Sequence, residues 1–231
     1  MAKTLLGKLP RQAVGMLELP RIAADVLEGY RALADLTGTV SDALDECGIA
    51  AVVPAAILRP TTPGARLVAQ ALTVRNVKSR SKTSKLADIE AHNLAQPGDV
   101  LVVQGVANVS SMGGVSASVG KRQREAGAVV DGGVRDIDHS RAIGYPVWSS
   151  SVSPISGKRR IATVAVNKPV KIAGIRVQPG DLVIADEVGV CFVPRKRAAE
   201  VLEVAQRLAK REKGRLDRLA AGMPLEKWIS L

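Results

Sequence analysis

A single layered α/β domain is the fold class this sequence predicts, and three observations predict it. Short apolar runs bounded by turn signals, Val100-Leu-Val-Val103, Ala128-Val129-Val130 and Leu182-Val-Ile-Ala185, read as buried strands. Segments with helical spacing alternate with them, the pattern of helices layered on a sheet. Hydrophobic residues make up 46% of the chain and aromatics only 2%. The core is therefore built from small and branched side chains, which suits a β-rich or α/β body. The length of 231 residues allows one large domain or two small ones. No internal linker is visible, so the chain reads as one domain: an N-terminal helical arm (1–36), a core (37–194) and a C-terminal helix (195–231).

The elements follow in order. Ile22 to Leu36 carries apolar residues at helical spacing. Thr37-Gly38-Thr39 breaks that pattern, after which Ser41 can cap a short helix through Cys47 with Gly48 as its stop. Pro54 and the Pro60 to Gly64 cluster are turns, and Arg66 to Val74 is a strand. Arg75 to Lys85, five cations and no anion, reads as a loop: a solvated face, or a basic flap over an anionic substrate. Leu86 to Leu94 is a helix, Pro97-Gly98-Asp99 a turn, Ser110 to Gly114 a small-residue loop, and Val115 to about Glu125 a helix. Pro146-Val147-Trp148 begins another strand. Ile161 to Ile172 alternates but contains Pro169, so it is an edge or bulged strand. Gln178-Pro-Gly-Asp181 echoes Gln96-Pro-Gly-Asp99 ahead of an apolar run. Arg195 to Ala221 is one long amphipathic helix with Lys and Arg on its outer face.

The net charge of +11 attracts anions, whether acidic metabolites, acidic lipid or nucleic acid. With one Phe, two Tyr and two Trp, a base-stacking platform has little to work with, and nucleic acid is not an expected partner. Cys47 and Cys191 make no disulfide framework, which points to a reduced, cytoplasmic setting, with Cys191 a buried small hydrophobe. No apolar run reaches the roughly 18 residues of a membrane span, and Met1 to Pro10 lacks the apolar core of a signal peptide.

Chemistry concentrates in Gly127-Ala-Val-Val-Asp-Gly-Gly-Val-Arg-Asp136. A buried strand ends in a turn signal, Asp131-Gly132-Gly133, and then presents Arg135 beside Asp136. A bidentate planar cation next to a hard oxygen ligand is what a site for a carboxylate substrate and a divalent metal needs. The same spacing also describes a strand, a tight turn and a surface ion pair. Upstream, Gly113-Gly114 opens a helix whose first N–H groups, at Val115 and Ser116, could bind an anion held by Arg135; a plain helix start packed closely through glycine is the alternative.

In their order, Ser41-Asp-Ala-Leu44, Gly98 to Val103, Gly113-Gly114, Gly127 to Asp136, Tyr145-Pro-Val147, Val177 to Asp181 and Ala185 to Val190 resemble the 4-hydroxy-4-methyl-2-oxoglutarate aldolase family, which includes the regulator of ribonuclease E activity A. The resemblance implies a swivelling β/β/α domain like the phosphohistidine domain, assembled as trimers or hexamers. It implies a lyase that splits small 4-hydroxy-2-oxo acids, or decarboxylates oxaloacetate, to pyruvate through an enolate stabilised by magnesium or manganese. Carried over, Arg135 holds the substrate carboxylate, Asp136 ligates the metal, Gly114, Val115 and Ser116 contact substrate through backbone N–H groups, and Glu212 reaches a neighbouring subunit's site.

One departure stands out. The family's aldolases place an Asp ahead of the Arg with twenty residues between them, and here that position is Gly114, which cannot move a proton. The electron sink is kept and the expected base is missing. Oxaloacetate decarboxylation should therefore be retained better than aldol cleavage unless Asp138, His139 or Glu212 stands in. The rival readings are a non-catalytic regulator that binds an RNA-processing enzyme, and a family member that has drifted to another carboxylate substrate.

Overall fold

A computed structural model describes residues 3–81 and 86–229. Its strands are β1 (Val52–Pro54), β2 (Arg59–Pro60), β3 (Leu67–Lys78), β4 (Asp99–Gln104), β5 (Ser110–Met112), β6 (Gly127–Val134), β7 (Val147–Val152), β8 (Ile161–Val166), β9 (Val170–Ile172), β10 (Ile175–Val177), β11 (Leu182–Ala185) and β12 (Gly189–Val193). Its helices are α1 (Ala24–Arg31), α2 (Leu36–Glu46), α3 (Asp88–Leu94), α4 (Gly114–Arg122), α5 (Ile137–Ala142), α6 (Ala198–Ala220) and α7 (Leu225–Ile229). The protein is mixed α/β, with one large mixed sheet in the order β1-β12-β11-β3-β4-β6-β7-β2. β3, β4, β6 and β7 run parallel, and β11, β12, β1, β2 and β8 add antiparallel partners.

Parallel strands buried on both faces read as continuous apolar runs, which is why β4 and β6 are legible in sequence. Alternate residues serve opposite faces. Val100 and Val102 of β4 meet Trp148, Phe192 and the β9–β10 hairpin, while Leu101 and Val103 pack beneath α3 and α4. On that second face, Leu182 and Ile184 of β11 pack under α2 and α6. Each parallel crossover carries a helix: α3 between β3 and β4, α4 between β4 and β6, α5 between β6 and β7. α3 contacts α4, and α4 contacts α5, so three helix starts and loops gather at one edge.

The two Gln-Pro-Gly-Asp segments form the same turn. Gly98 and Gly180 have φ of 87° and 86°, which only glycine adopts freely. Asp99 Oδ2 accepts from Gln96 N at 2.8 Å, and Asp181 Oδ2 from Gln178 N at 2.7 Å. Burial raises the pKa of both carboxyls, against the lowering pull of these hydrogen bonds. Cys191 is buried as expected, and desolvation with the nearby Asp186 charge pushes its thiol up to about 12, so it stays a protonated small hydrophobe.

Several elements differ from the sequence reading. Thr37-Gly38-Thr39 lies inside α2 rather than breaking a helix, because Asp35 caps Gly38 N and Asp186 takes both Thr37 N–H and its hydroxyl. Gly48 does stop that helix, with φ of 69°. The segment before α2 is not a continuous helical arm. Residues 3–23 hold a single 3-10 turn and run over the body, tied to the carboxylate of Glu90 through Leu6 N and Lys8 N and to Gln70 through Ile22 N. Arg75 to Lys78 is not loop: it extends β3 and pairs with β8. Residues 82–85, the rest of the expected basic flap, lie outside the described residues. Asp131-Gly132-Gly133 is not a turn, since β6 runs through it to Val134. Its glycines admit a neighbouring chain: a Cβ at Gly132 would stand 2.9 Å from Val106 N, and one at Gly133 2.8 Å from Val109 O.

Candidate functional site

The gathered edge holds a cleft of about 280 Å³, lined by Asp88, Ile89 and His92 of α3, Ser110 to Met112 of β5, Gly113 to Ser116 and Val119 at the head of α4, Arg135 and Asp136, and Ser156 to Lys158. Four of the residues singled out by sequence, Gly114, Val115, Ser116 and Arg135, meet there with the fifth, Asp136.

β6 delivers Arg135 and Asp136 to the cleft. Arg135 N donates to Met112 O at 3.1 Å, fixing the exit of β6 against the end of β5. Asp136 then turns the chain with a left-handed φ of 53° and starts α5, its carbonyl accepting from Ser140 N. Asp is among the few residues that tolerate that conformation without glycine's freedom. Its Oδ2 accepts from Gly114 N at 2.9 Å, joining the carboxylate to the positive end of α4. Arg135 Nε lies 3.6 Å from the same oxygen, and the two side chains remain 39% and 47% exposed. Oδ1 has no protein donor among the described residues. The N–H of Gly114 is thus committed to Asp136, whereas those of Val115 and Ser116, in the first turn of α4, have no intrahelical acceptor and are the ones left for an anion.

Close packing explains both glycines. A Cβ on Gly113 would stand 2.7 Å from Asp136 Oδ2 and 3.2 Å from Arg135 Nε. A Cβ on Gly114 would stand 3.1 Å from Cδ2 of His139, so the imidazole occupies the space where a side chain would begin. Of the groups expected to replace a carboxylate at 114, His139 bonds Ser118 Oγ at 2.7 Å and lines a shallow depression beside the cleft, with Gly114, Val115 and Asp136. Asp138 is 95% exposed and paired with Arg141. Glu212 sits exposed on α6 and is not among the residues lining the cleft; within one chain it is not brought to Arg135.

The cleft residue the sequence did not disclose is His92. It is buried at the back wall, its Nε2 2.8 Å from Ser116 Oγ and its Nδ1 2.8 Å from Glu125 Oε1. In sequence it is one histidine in a short helix, separated by 24 and 33 residues from its partners, and no local pattern marks it.

The donor set suits a hard, largely hydrated cation. Among the described residues no cluster of three or more His, Cys, Asp or Glu could hold an ion by itself. The cleft offers the carboxylates of Asp136 and Asp88. Magnesium commonly keeps several waters and takes one or two carboxylates plus substrate oxygens, so these residues fit it better than a metal needing an all-protein cage. Lys158 adds positive charge at the rim, and Lys78, Arg80, Arg159 and Arg160 line an adjoining depression. No helix among the described residues is long and apolar enough to cross a membrane.

Comparison with known proteins gives this geometry a context. The profile of the family described as RraA-like, aldolase/RraA, matches residues 37–192. Protein DlpA of Legionella pneumophila is 28% identical over 81% of this chain, but the match spans only 31% of that protein. A Halalkalibacterium halodurans protein named "Putative 4-hydroxy-4-methyl-2-oxoglutarate aldolase" is 30% identical over 74% of this chain and 78% of its own. The solved structure of Streptomyces coelicolor RraAS2, described as an unusual member of the RNase ES inhibitor RraA family, superposes with a TM-score of 0.74, covering 84% of this chain and 96% of its own at 28% identity.

Proposed function

Because the chain belongs to the RraA-like family, we propose that it is a divalent-cation-dependent carbon–carbon lyase that releases pyruvate from small 2-oxo acids. The observation that carries this reading is the convergence in one cleft of the Arg135 guanidinium, the Asp136 carboxylate and the free N–H groups at the head of α4. Arg135 binds the substrate carboxylate through two parallel N–H bonds and so fixes its plane. Val115 N–H and Ser116 N–H add donors on the same anion. Asp136, with Asp88 across the cleft, is the group that would hold magnesium or manganese. Such an ion, when bound, supplies Lewis-acid stabilisation of enolate charge. Lys158 and its cationic neighbours suit a second carboxylate, as in oxaloacetate. The assembled protein is expected to be a trimer or hexamer, with Glu212 reaching a neighbouring site.

β-Decarboxylation needs only the electron sink, so oxaloacetate should be turned over faster than 4-hydroxy-2-oxo acids. The test is pyruvate release over a panel of 2-oxo acids with and without EDTA. Magnesium-dependent release with oxaloacetate as the best substrate supports the reading. Equal, metal-independent rates would remove it and favour a regulator that binds an acidic partner, a role that the basic face of α6 at Arg207, Lys210, Arg211, Arg215 and Arg218 would suit.

Gly113→Ala provides a steric check. The backbone there has φ of −145°, which alanine adopts, so the cost falls on Asp136 rather than on the fold. Displacing a reacting-site group by about 1 Å can cost about 10²-fold. That loss in kcat/KM is expected with a nearly unchanged melting temperature; full activity in the variant would show that the position of Asp136 does not matter.

A further inference from the structure

The wall of the cleft at His92 and Ser116 contains a chain of hydrogen bonds that the lyase reading does not use. Ser116 Oγ meets His92 Nε2, His92 Nδ1 meets Glu125 Oε1, and Glu125 Oε2 accepts from Tyr145 OH at 2.7 Å. The His92 and Glu125 side chains are 1% and 0% exposed, so both are shielded from water, while Ser116 faces the cleft. Burial and the Glu125 charge push the Tyr145 phenol well above its ordinary pKa, keeping it protonated as a donor to that carboxylate. With the proton on Nδ1, His92 donates to Glu125 Oε1 and its Nε2 is left to accept from the Ser116 hydroxyl. A carboxylate that orients an imidazole, which in turn accepts from a hydroxyl, is an arrangement for moving a proton.

We propose that Ser116, His92 and Glu125 form the proton relay of this cleft, replacing the carboxylate absent at Gly114. The proposal rests on the lyase reading. As the carbon–carbon bond of a 4-hydroxy-2-oxo acid breaks, the substrate hydroxyl gives its proton to Ser116 Oγ, and Ser116 gives its own to His92 Nε2. The electron pair of the broken bond becomes the enolate of pyruvate. The proton then returns from His92 through Ser116 to the enolate carbon, so one pyruvate and one carbonyl fragment leave and His92 is neutral again. Glu125 positions the ring and offsets its transient charge without taking the proton. Decarboxylation requires no hydroxyl deprotonation and depends on the relay less.

The experiment compares wild type, His92→Gln and Ser116→Ala, each with magnesium, on a 4-hydroxy-2-oxo acid and on oxaloacetate. It also reads the nitrogen-detected imidazole spectrum, which is simple because the chain has two histidines. In both variants the ratio of aldol cleavage to decarboxylation is expected to fall about 10²-fold, the size of a lost general base. The wild-type spectrum should show His92 as its Nδ1–H tautomer. Ser116→Ala removes one oxygen from the third position of a helix, so it keeps the test open should His92→Gln fail to fold. An unchanged ratio in Ser116→Ala, a wild type that decarboxylates but does not cleave, or His92 protonated on Nε2 instead would each overturn the relay alone. A wild type that releases pyruvate from neither substrate would overturn the lyase reading and the relay's role in it.

Discussion

Asp136→Asn should lower pyruvate release from oxaloacetate by about 10²–10³-fold, the typical effect of removing one preorganised charge-stabilising group. Asparagine tolerates the left-handed backbone that starts α5 and keeps an oxygen to accept from Gly114 N–H. Only the negative charge is lost. The ion pair with Arg135 is 3.6 Å long and half exposed, and pairs of that kind contribute about 0–1 kcal/mol, so the fold should be nearly as stable as before. Steady-state kinetics with a thermal melt as control checks both halves. The residual rate of the variant should no longer respond to EDTA. A variant with parental activity, or one that is inactive because it is unfolded, would remove the assignment of Asp136.

Arg135→Met is the second large effect, also about 10²–10³-fold in kcat/KM. It discriminates between charge and geometry when set beside Arg135→Lys. Lysine restores a positive charge but not the planar fork that takes both oxygens of a carboxylate. If the plane of the substrate is what Arg135 controls, lysine recovers only a minor part of the loss, and the shortfall appears in kcat as well as KM, because a rotated substrate presents the wrong bond. Full recovery by lysine would mean that Arg135 acts as a point charge, a role Lys158 at the rim could share.

What was legible in the sequence follows physical rules. Val100 to Val103, Ala128 to Val130 and Leu182 to Ala185 were readable as strands because burial on both faces leaves no room for polar residues. Arg135 and Asp136 are readable as a candidate pair because they are adjacent in the chain, so one strand end delivers both to the cleft. Gly132-Gly133 reads as a turn in sequence because glycine serves two needs, positive φ in a turn and close approach of another backbone, and here the approach of Val106 and Val109 is the cause. Thr37-Gly38-Thr39 reads as a helix breaker in sequence, but Asp35 and the distant Asp186 stabilise a helix that propensity alone disfavours. The helical spacing from Ile22 is realised in α1 at Ala24–Arg31, whereas upstream Leu6, Lys8 and Ile22 donate to Glu90 and Gln70, partners that lie far along the chain. The Ser116, His92 and Glu125 chain could not be seen, since it exists only once the α3 and α4 crossovers bring the three together.

In the proposed lyase, Arg135 and Asp136 together form a site for a divalent cation and the enolate of a 2-oxo acid. Oxalate mimics that enolate in shape and charge, and manganese reports its own binding through water-proton relaxation. The direct measurement is manganese affinity of the wild type and Asp136→Asn, each with and without oxalate. Oxalate is expected to tighten manganese binding to the wild type by at least about tenfold, which is about 1.4 kcal/mol of coupling, and Asp136→Asn to abolish this. Manganese binding that ignores oxalate, or coupling that survives in Asp136→Asn, would contradict it.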